Sequence, residues 1–562
     1  MSLHYDFDRP LQKVFSEQFS DVKTVDWKKW LNLSSKEEFI EFTLSNSGLD
    51  NIPEIFDLIK HKTTKSKEFT INPNQFLSEY HKNEIPILTH SSGTTNPDID
   101  QLKWFHMSKD LICRLWAPGM KAIFESGNLT KNSSAVIFVP SRLKTDGIQT
   151  LNDQKYASLY SLEFSQRVAL ATINPHSYVF YPYKESYNIQ TIAEILELPN
   201  ITTISTSFLT ILGWANHSKM KEKFRRSLRD LDLSNGHNET LERLIDLIDA
   251  EGIDKATRII QKELSNKIQG AFLVSGISSL NIHQDIIHDF MQWKENRDQY
   301  INLYVASEIG PFAASIKAAH QLKTDSQTEI DSNLMQVFPL TLPVIQEQGT
   351  FKLLTETKRH VGRLFTSRMH GSEPLINIDT GDVIFIEKNK SHPQIGGTIL
   401  RAGFELKYPI KLTERIKIPT NSNIYAGDYF TLAELEIINP KNLLDCIVNN
   451  CQINADTLLM VRTGIKNEPW NLVLPSGESD SELMIKNQLI EIIESCPGGK
   501  QLANAIRTNF MTIKFTDEEP VDYLRTREEI LKKVRSGNTP KGILKKWPLY
   551  LAVSPKHDKK IC

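Results

Sequence analysis

His90-Ser91-Ser92-Gly93-Thr94-Thr95 follows an apolar run, Ile85-Pro86-Ile87-Leu88, that has the composition of a short buried strand. Two serines, a glycine and two threonines in succession make a turn crowded with hydroxyls and backbone N–H groups. Such a turn can wrap around phosphate oxygens, because amides and hydroxyls donate to anions and glycine lets the backbone come close. Ser/Gly/Thr runs are also ordinary polar loops. The anion reading therefore depends on what lies downstream.

Outward from this turn, the chain reads in three parts. Upstream, residues 1–84 are mostly helical, with helices expected around Leu11–Phe19, Ser35–Thr43 and Ile52–Ile59. From about 85, strands and helices alternate. Strands are expected at Ala135–Val139, Asn200–Thr206, Gln269–Gly276 and Gln299–Tyr304, and helices at Ile189–Leu198, Ser207–His217 and Ile282–Trp293. Val168–Thr172 and Tyr178–Tyr181 read as short strands or helix ends, and residues 218–265 as highly charged helix. Alternation of this kind implies a mainly parallel sheet flanked by helices, with ligands bound beyond the carboxyl ends of its strands. About 330–410 the pattern changes to strands and turns, and a small α/β segment follows, with helices expected at Leu483–Cys496 and Lys500–Arg507. The expected class is α/β: a helical segment (1–84) packed on a large domain (85–425) that includes a small β-rich subdomain, then a small, mobile C-terminal α/β domain (426–562).

Composition narrows the function. With 562 residues, 66 basic against 68 acidic and a net charge of −2, nothing marks nucleic acid as a partner. No segment approaches the roughly 18 apolar residues of a membrane span. The N-terminus, Met1-Ser2-Leu3-His4-Tyr5-Asp6, has no secretory pattern. The five cysteines, Cys113, Cys446, Cys451, Cys496 and Cys562, are sparse and odd in number, which argues against a disulfide framework or a zinc site. A reducing cytoplasm is the expected location.

Two downstream stretches complement the Ser/Thr turn. In Leu303-Tyr304-Val305-Ala306-Ser307-Glu308-Ile309-Gly310 a strand ends at an aromatic residue, followed by a hydroxyl and a carboxylate. A ring can stack on a base, a hydroxyl can donate to phosphate, and a carboxylate is a hard ligand suited to Mg²⁺. A core tyrosine and a capping glutamate would look the same. In Asn377-Ile378-Asp379-Thr380-Gly381-Asp382 the last carboxylate could accept both hydroxyls of a ribose, although Asp-Thr-Gly-Asp is also ordinary β-hairpin sequence.

Together, in this order and spacing, the three stretches resemble the adenylate-forming superfamily of acyl-CoA ligases, peptide-synthetase adenylation domains and luciferase. That family's motifs are Ser-Ser/Thr-Gly-Thr-Thr, Tyr-Gly-x-Thr/Ser-Glu and Tyr-Arg-Thr-Gly-Asp. The segment Gly362–Ser367 with Pro374-Leu375-Ile376 is similar to phenylacetate–CoA ligases. The late first motif and the Tyr-x-Ala-Ser-Glu form look like plant hormone amido synthetases and acyl-protein synthetases. The resemblance covers roughly residues 85–435 and is weaker beyond.

The resemblance implies that Ser91, Ser92, Gly93, Thr94 and Thr95 hold the ATP phosphates. It implies Tyr304 on adenine, Ser307 on the α-phosphate, Glu308 on Mg²⁺, and Asp382 and Arg415 on ribose. Gly276, in Val274-Ser275-Gly276, would line the acid pocket. Departures are specific. Asn96-Pro97-Asp98-Ile99-Asp100 stands where Gly-x-Pro-Lys usually closes the loop, with Lys103 as a stand-in, and Val305 replaces a glycine. The C-terminal catalytic lysine has its nearest counterpart at Lys541, in a basic tail. The implied activity is ATP-dependent, Mg²⁺-assisted activation of a small carboxylic acid. Transfer would follow to coenzyme A, a carrier-protein thiol or an amine, the acceptor being open. Two other readings stay open: a non-catalytic relative acting as a nucleotide-binding scaffold, and an unrelated phosphotransferase. The second lacks Gly-x-x-x-x-Gly-Lys-Ser/Thr.

Overall fold

The computed structural model describes residues 4–6, 8–20, 22, 29, 33, 35–49, 52–91, 102–126, 128–140, 143, 146–231, 238–268, 271–276, 289–292, 300–314, 335–338, 340–347, 349–354, 356–357, 361–370, 374–387, 398–406, 423–427, 429–432, 435–438, 446–447, 450, 458–461, 469–475, 482–496, 499–516 and 549–553. The strands that position the site are, in chain order, β1 (His4–Asp6), β2 (Ile87–His90), β3 (Trp104–His106), β4 (Ser134–Val139), β5 (Gly147–Leu151), β6 (Gln154–Tyr160), β7 (Ser177–Pro182), β8 (Ile201–Ser205), β9 (Phe272–Gly276), β10 (Tyr300–Ala306), β11 (Gly310–Ala314), β12 (Met335–Val337), β13 (Thr341–Glu347), β14 (Thr350–Leu353), β15 (Val361–Arg368), β16 (Leu375–Glu387) and β17 (Thr398–Leu406).

Strands β1, β7, β4, β8, β9 and β10 lie side by side and parallel. At β10 the direction reverses. Strand β11 returns antiparallel, and the sheet continues antiparallel through β12, β17, β16, β15, β13 and β14. A second sheet has the order β3-β2-β6-β5. The molecule is thus mixed α/β, with the parallel alternation expected from about residue 85 and the β-rich stretch expected near 330–410.

Strand β4 shows why an uninterrupted apolar run sits at the centre. Alternate side chains point to opposite faces. Val136 and Phe138 join a core with the helix Ile189–Glu197 and Trp214, whereas Ala135, Ile137 and Val139 join another with Met120, Ile123 and Phe124. A strand covered on both faces has no place for a polar alternate. The same logic leaves Val168–Thr172 open between a short strand and a helix end, and it is the helix end that forms. Those residues lie inside the helix Ser161–Ile173, which is buried almost all round. A helix without a polar face carries no 3.6-residue signal to set it apart from a buried strand.

Helices Arg9–Phe19, Lys36–Ser47, Ile52–Ile59, Ile189–Glu197, Glu482–Ser495 and Lys500–Arg507 agree with expectation to within a few residues. The second begins as its sequence suggests, with Ser35 Oγ accepting from the Glu38 N–H at 3.1 Å. The charged stretch after 216 forms the helices His217–Arg229 and Glu239–Lys267, the latter broken at Gly252. The expected helix Ile282–Trp293 lies mostly outside the described residues. Further on, Leu458–Val461 and Trp470–Pro475 pair antiparallel, and Met511–Thr516 runs parallel to the latter. Cys446 and Cys496 form a disulfide across 50 residues. The sparse, odd-numbered cysteines argue against a disulfide framework, and their long spacing gave no hint of this one pair of side chains meeting across a fold. Among the described residues no helix is long and apolar enough to cross a membrane.

One buried carboxyl is held against its preference. Glu194 is 5% exposed; among the described residues Oε1 accepts only from Gln190, at 3.3 Å, and Oε2 has no partner. Burial, with Glu197 adding to it, raises its pKa from an ordinary 4.5 to about 7. The unfolded carboxyl ionises near the lower value and the folded one near the higher. Stability therefore falls as pH rises between them, and the penalty is complete above pH 7. Glu194→Gln is expected to raise stability by about 2–3 kcal/mol at pH 8 and to change little at pH 4. Denaturant midpoints at the two pH values check this; an equal shift at both would refute it.

Candidate active site

The first stretch is held at its neck. Strands β2 and β3 pair antiparallel, with His90 opposite Trp104. One residue further, the Ser91 N–H donates to the Lys103 carbonyl at 3.0 Å, and the Lys103 N–H donates to Ser91 Oγ at 3.3 Å. The chain thus leaves β2 and re-enters β3 through one two-bonded pair. Ser92, Gly93, Thr94 and Thr95, inside that neck, lie outside the described residues. Lys103, weighed from sequence as a stand-in for a displaced loop lysine, is placed directly across from Ser91.

The second stretch occupies the reversal of the sheet. Strand β10 runs beside β9, with Leu303 opposite Gly276, and turns after Ala306 into β11. Ser307 and Glu308 occupy that turn, beyond the carboxyl end of a parallel strand. Ser307 Oγ lies 3.0 Å from Ser161 Oγ, in the first turn of the helix Ser161–Ile173. Glu308 Oε1 lies 3.7 Å from Lys103 Nζ, both side chains partly exposed. Arg368, at the end of β15, donates from Nη1 to the Glu308 carbonyl at 3.3 Å.

Gly310 closes this turn, and the turn requires a glycine. Its φ is +98°, and a Cβ there would come within 2.2 Å of Trp116 Nε1. Trp116 is fully buried and cannot swing aside. Gly310→Ala is expected to destabilise the fold by about 2–4 kcal/mol through backbone strain and overlap. Loss of stability below about 1 kcal/mol in a denaturant titration would show that the turn can rearrange.

The third stretch is a bulge, not the hairpin turn its sequence also allows. Asp379 pairs with Phe365 and Val383 with Arg363, so Thr380, Gly381 and Asp382 stand opposite Leu364 alone. Thr380 Oγ1 donates to the Leu364 carbonyl at 2.8 Å, and Gly381, with φ +70°, donates to Asp379 Oδ1 at 2.9 Å. Arg363 holds Asp379 through two bonds of 3.0 and 2.7 Å. The bulge turns Asp382 inward, where it is 7% exposed and accepts from the Tyr304 hydroxyl. The Tyr304 ring is 4% exposed and packs edge-on against Phe312, centroids 5.3 Å apart.

Ser91, Lys103, Tyr304, Ser307, Glu308 and Asp382 thus belong to one connected neighbourhood, with Gly276 one strand away. Arg415 and Lys541 lie outside the described residues. Sequence reading missed Arg368 and Ser161, because nothing local marks either: each earns its place from a strand or helix end delivered by the fold. Near Arg368, burial lowers the pKa of His370, and Arg368 and Arg114 act in the same sense against the Asp110 carboxylate, 2.9 Å away.

The donor set suits a phosphate-bound divalent cation. Mg²⁺ commonly takes one or two protein carboxylates and completes its shell with phosphate oxygens and water. Glu308 offers a partly exposed carboxylate, and Lys103 and Arg368 bring positive charge beside it. Among the described residues no group of three or more His, Cys, Asp or Glu could hold a metal by itself.

No family model and no curated protein matches the chain. Solved structures similar to it include a variant of an amide bond synthetase from Marinactinospora thermotolerans, at 12% identity over 75% of this chain and 66% of that one, with a TM-score of 0.34. The same synthetase without the substitution gives 11%, 71%, 61% and 0.33. A 2-hydroxyisobutyryl-CoA ligase in complex with its acyl adenylate and CoA gives 8%, 92%, 85% and 0.37. The chain thus spans less than two thirds of the length of the synthetase structures. At these values the likeness fixes neither reaction nor substrate.

Proposed function

We propose that this protein activates a carboxylic acid as its acyl adenylate, with release of pyrophosphate, and passes the acyl group to a thiol or an amine. The observation that carries the reading is the meeting of Lys103 and Glu308, at 3.7 Å, beside the neck of a Ser/Thr-rich loop. A cation and a carboxylate are brought together there from stretches some two hundred residues apart, beyond the ends of parallel strands. In this reading Ser91, Ser92, Gly93, Thr94 and Thr95 bind the phosphates. Lys103 holds the charge of the departing pyrophosphate, Ser307 donates to the α-phosphate, and Asp382 accepts from ribose. Tyr304 orients Asp382 through its hydroxyl; its ring, buried against Phe312, is assigned to the wall beside the base. Mg²⁺, on Glu308, would lower the charge repulsion between the two anions. Arg415 and Lys541 are assigned to ribose and to the reacting α-phosphate, and Gly276 to the acid pocket.

The chemistry asks little covalent work of the protein. A carboxylate oxygen attacks the α-phosphorus, the bond to the bridging oxygen breaks, and pyrophosphate leaves with the electron pair. The protein must bring two anions together and offset the charge that develops. We assign this step to residues 85–425, with residues 1–84 packed on them and 426–562 serving acyl transfer. The test is carboxylate-dependent exchange of labelled pyrophosphate into ATP with aryl, fatty, amino and hydroxy acids. Exchange with one acid class supports the reading and names the substrate class. ATP binding without exchange for any acid favours a non-catalytic nucleotide-binding protein, and release of ADP a phosphotransferase.

A further inference from the structure

His90, the residue before the Ser/Thr turn, is 3% exposed, and both of its ring nitrogens are engaged. Nδ1 lies 2.9 Å from the Ser91 carbonyl oxygen, and Nε2 lies 2.9 Å from Asp146 Oδ1. A carbonyl can only accept, so the Nδ1–H donates to it, and the Nε2–Oδ1 contact occupies the other ring nitrogen. Asp146 is itself fixed. Its Oδ2 accepts from the Leu143 N–H at 2.8 Å, its own N–H donates to the Leu143 carbonyl at 3.1 Å, and its side chain is 1% exposed. The rings of Trp104 and Tyr160, at 4.9 and 6.0 Å, leave the imidazole little freedom to turn.

We infer that His90, held by Asp146, is a positioning residue for Ser91 and Lys103 of the proposed nucleotide site. A continuous chain of bonds runs from the Leu143 turn through Asp146 and His90 to the Ser91 carbonyl. From Ser91 it continues through one backbone bond and one bond to the Ser91 hydroxyl to Lys103, and from Lys103 by an ion pair to Glu308. Ser91 is the first residue of the loop, and the ring fixes the direction of its carbonyl. Its N–H and Oγ fix the return strand. The pair thereby sets the placement of Ser91 and Lys103, although neither His90 nor Asp146 is assigned to the reacting atoms. Groups fixed before binding bind more tightly because less ordering remains at the moment of binding. A His or Asp retained only for packing would affect stability and all ligands alike.

This inference rests on the reading that Ser91 and Lys103 contact ATP, so the test measures ATP binding directly as well as turnover. Calorimetry on the full chain is expected to show Asp146→Ala and His90→Phe weakening ATP about tenfold, with KM for the acid unchanged and kcat within about threefold. Asp146→Asn, whose amide can still bond Nε2, is expected to bind ATP within about threefold of the parent. Nitrogen-15 histidine spectra should show His90 protonated at Nδ1. Unchanged ATP affinity in both Asp146→Ala and His90→Phe would overturn the inference. So would parallel loss of ATP and acid binding, or Asp146→Asn no better than Asp146→Ala. A parent protein that binds ATP but exchanges pyrophosphate with no acid defeats the adenylation reading and leaves the binding comparison to decide this one. A parent that does not bind ATP overturns both.

Discussion

Glu308→Gln is expected to lower pyrophosphate exchange about 100-fold or more while leaving the fold intact. Stabilisers aimed at charge that develops during a reaction are typically worth about 3 kcal/mol or more each. The substitution keeps the shape of the side chain and removes its charge. The turn does not depend on that charge: its conformation is set by the β10–β11 pairing, by Gly310 against Trp116, and by Arg368 bonding the main-chain carbonyl of Glu308. The carboxylate faces Lys103 across 3.7 Å and is partly exposed, so it contributes little to stability. A pure structural role predicts a small change in melting and normal exchange. A role in holding a phosphate-bound cation predicts normal melting, lost exchange and an altered dependence on Mg²⁺ concentration. Exchange within about threefold of the parent, at saturating Mg²⁺, would remove Glu308 from the proposed machinery.

Much of this neighbourhood was legible because each stretch carries local chemistry. The apolar run before His90, the Tyr-x-x-Ser-Glu turn and the Thr-Gly-Asp turn announce a strand end, a carboxylate and a bend without reference to the rest of the fold. What could not be read is which elements meet. His90 and Asp146 are 56 residues apart, and Ser161 and Ser307 are 146 apart; no periodicity links them. Strands β3, β5 and β6, which form most of the second sheet and carry the neck of the loop, are short and mixed in polarity and went unread. The Asp382 bulge illustrates the same limit: Asp-Thr-Gly-Asp specifies a bend, but only the neighbouring strand determines that it interrupts a thirteen-residue strand instead of ending it.

Arg167→Ala is expected to cost about 3–5 kcal/mol, the largest stability loss of any single substitution considered. Arg167 and Glu163 lie one helical turn apart, joined at 2.8 Å, with side chains 0% and 1% exposed. The guanidinium also donates to Gln12 Oε1 at 3.3 Å and to the Asp8 carbonyl at 3.4 Å, and it rests 4.2 Å from the centre of the Phe180 ring. One side chain thereby ties the helix Arg9–Phe19 and strand β7 to the helix whose first residue meets Ser307. Truncation leaves the Glu163 carboxylate buried without its guanidinium partner and removes packing from Phe180. The pair itself need not be stabilising, because moving two charges out of water costs about as much as their attraction returns. Replacing both with leucine is therefore expected to recover part of the loss, a pattern that a purely steric account of Arg167→Ala does not predict. Denaturant midpoints for Arg167→Ala, Glu163→Leu and the double replacement separate the cases. Exchange activity of Arg167→Ala, assayed well below its melting temperature, should remain near that of the parent if the helix supports Ser307 only by being folded. A double replacement no more stable than Arg167→Ala would show that the ion pair, and not the isolated charge, is what the fold requires.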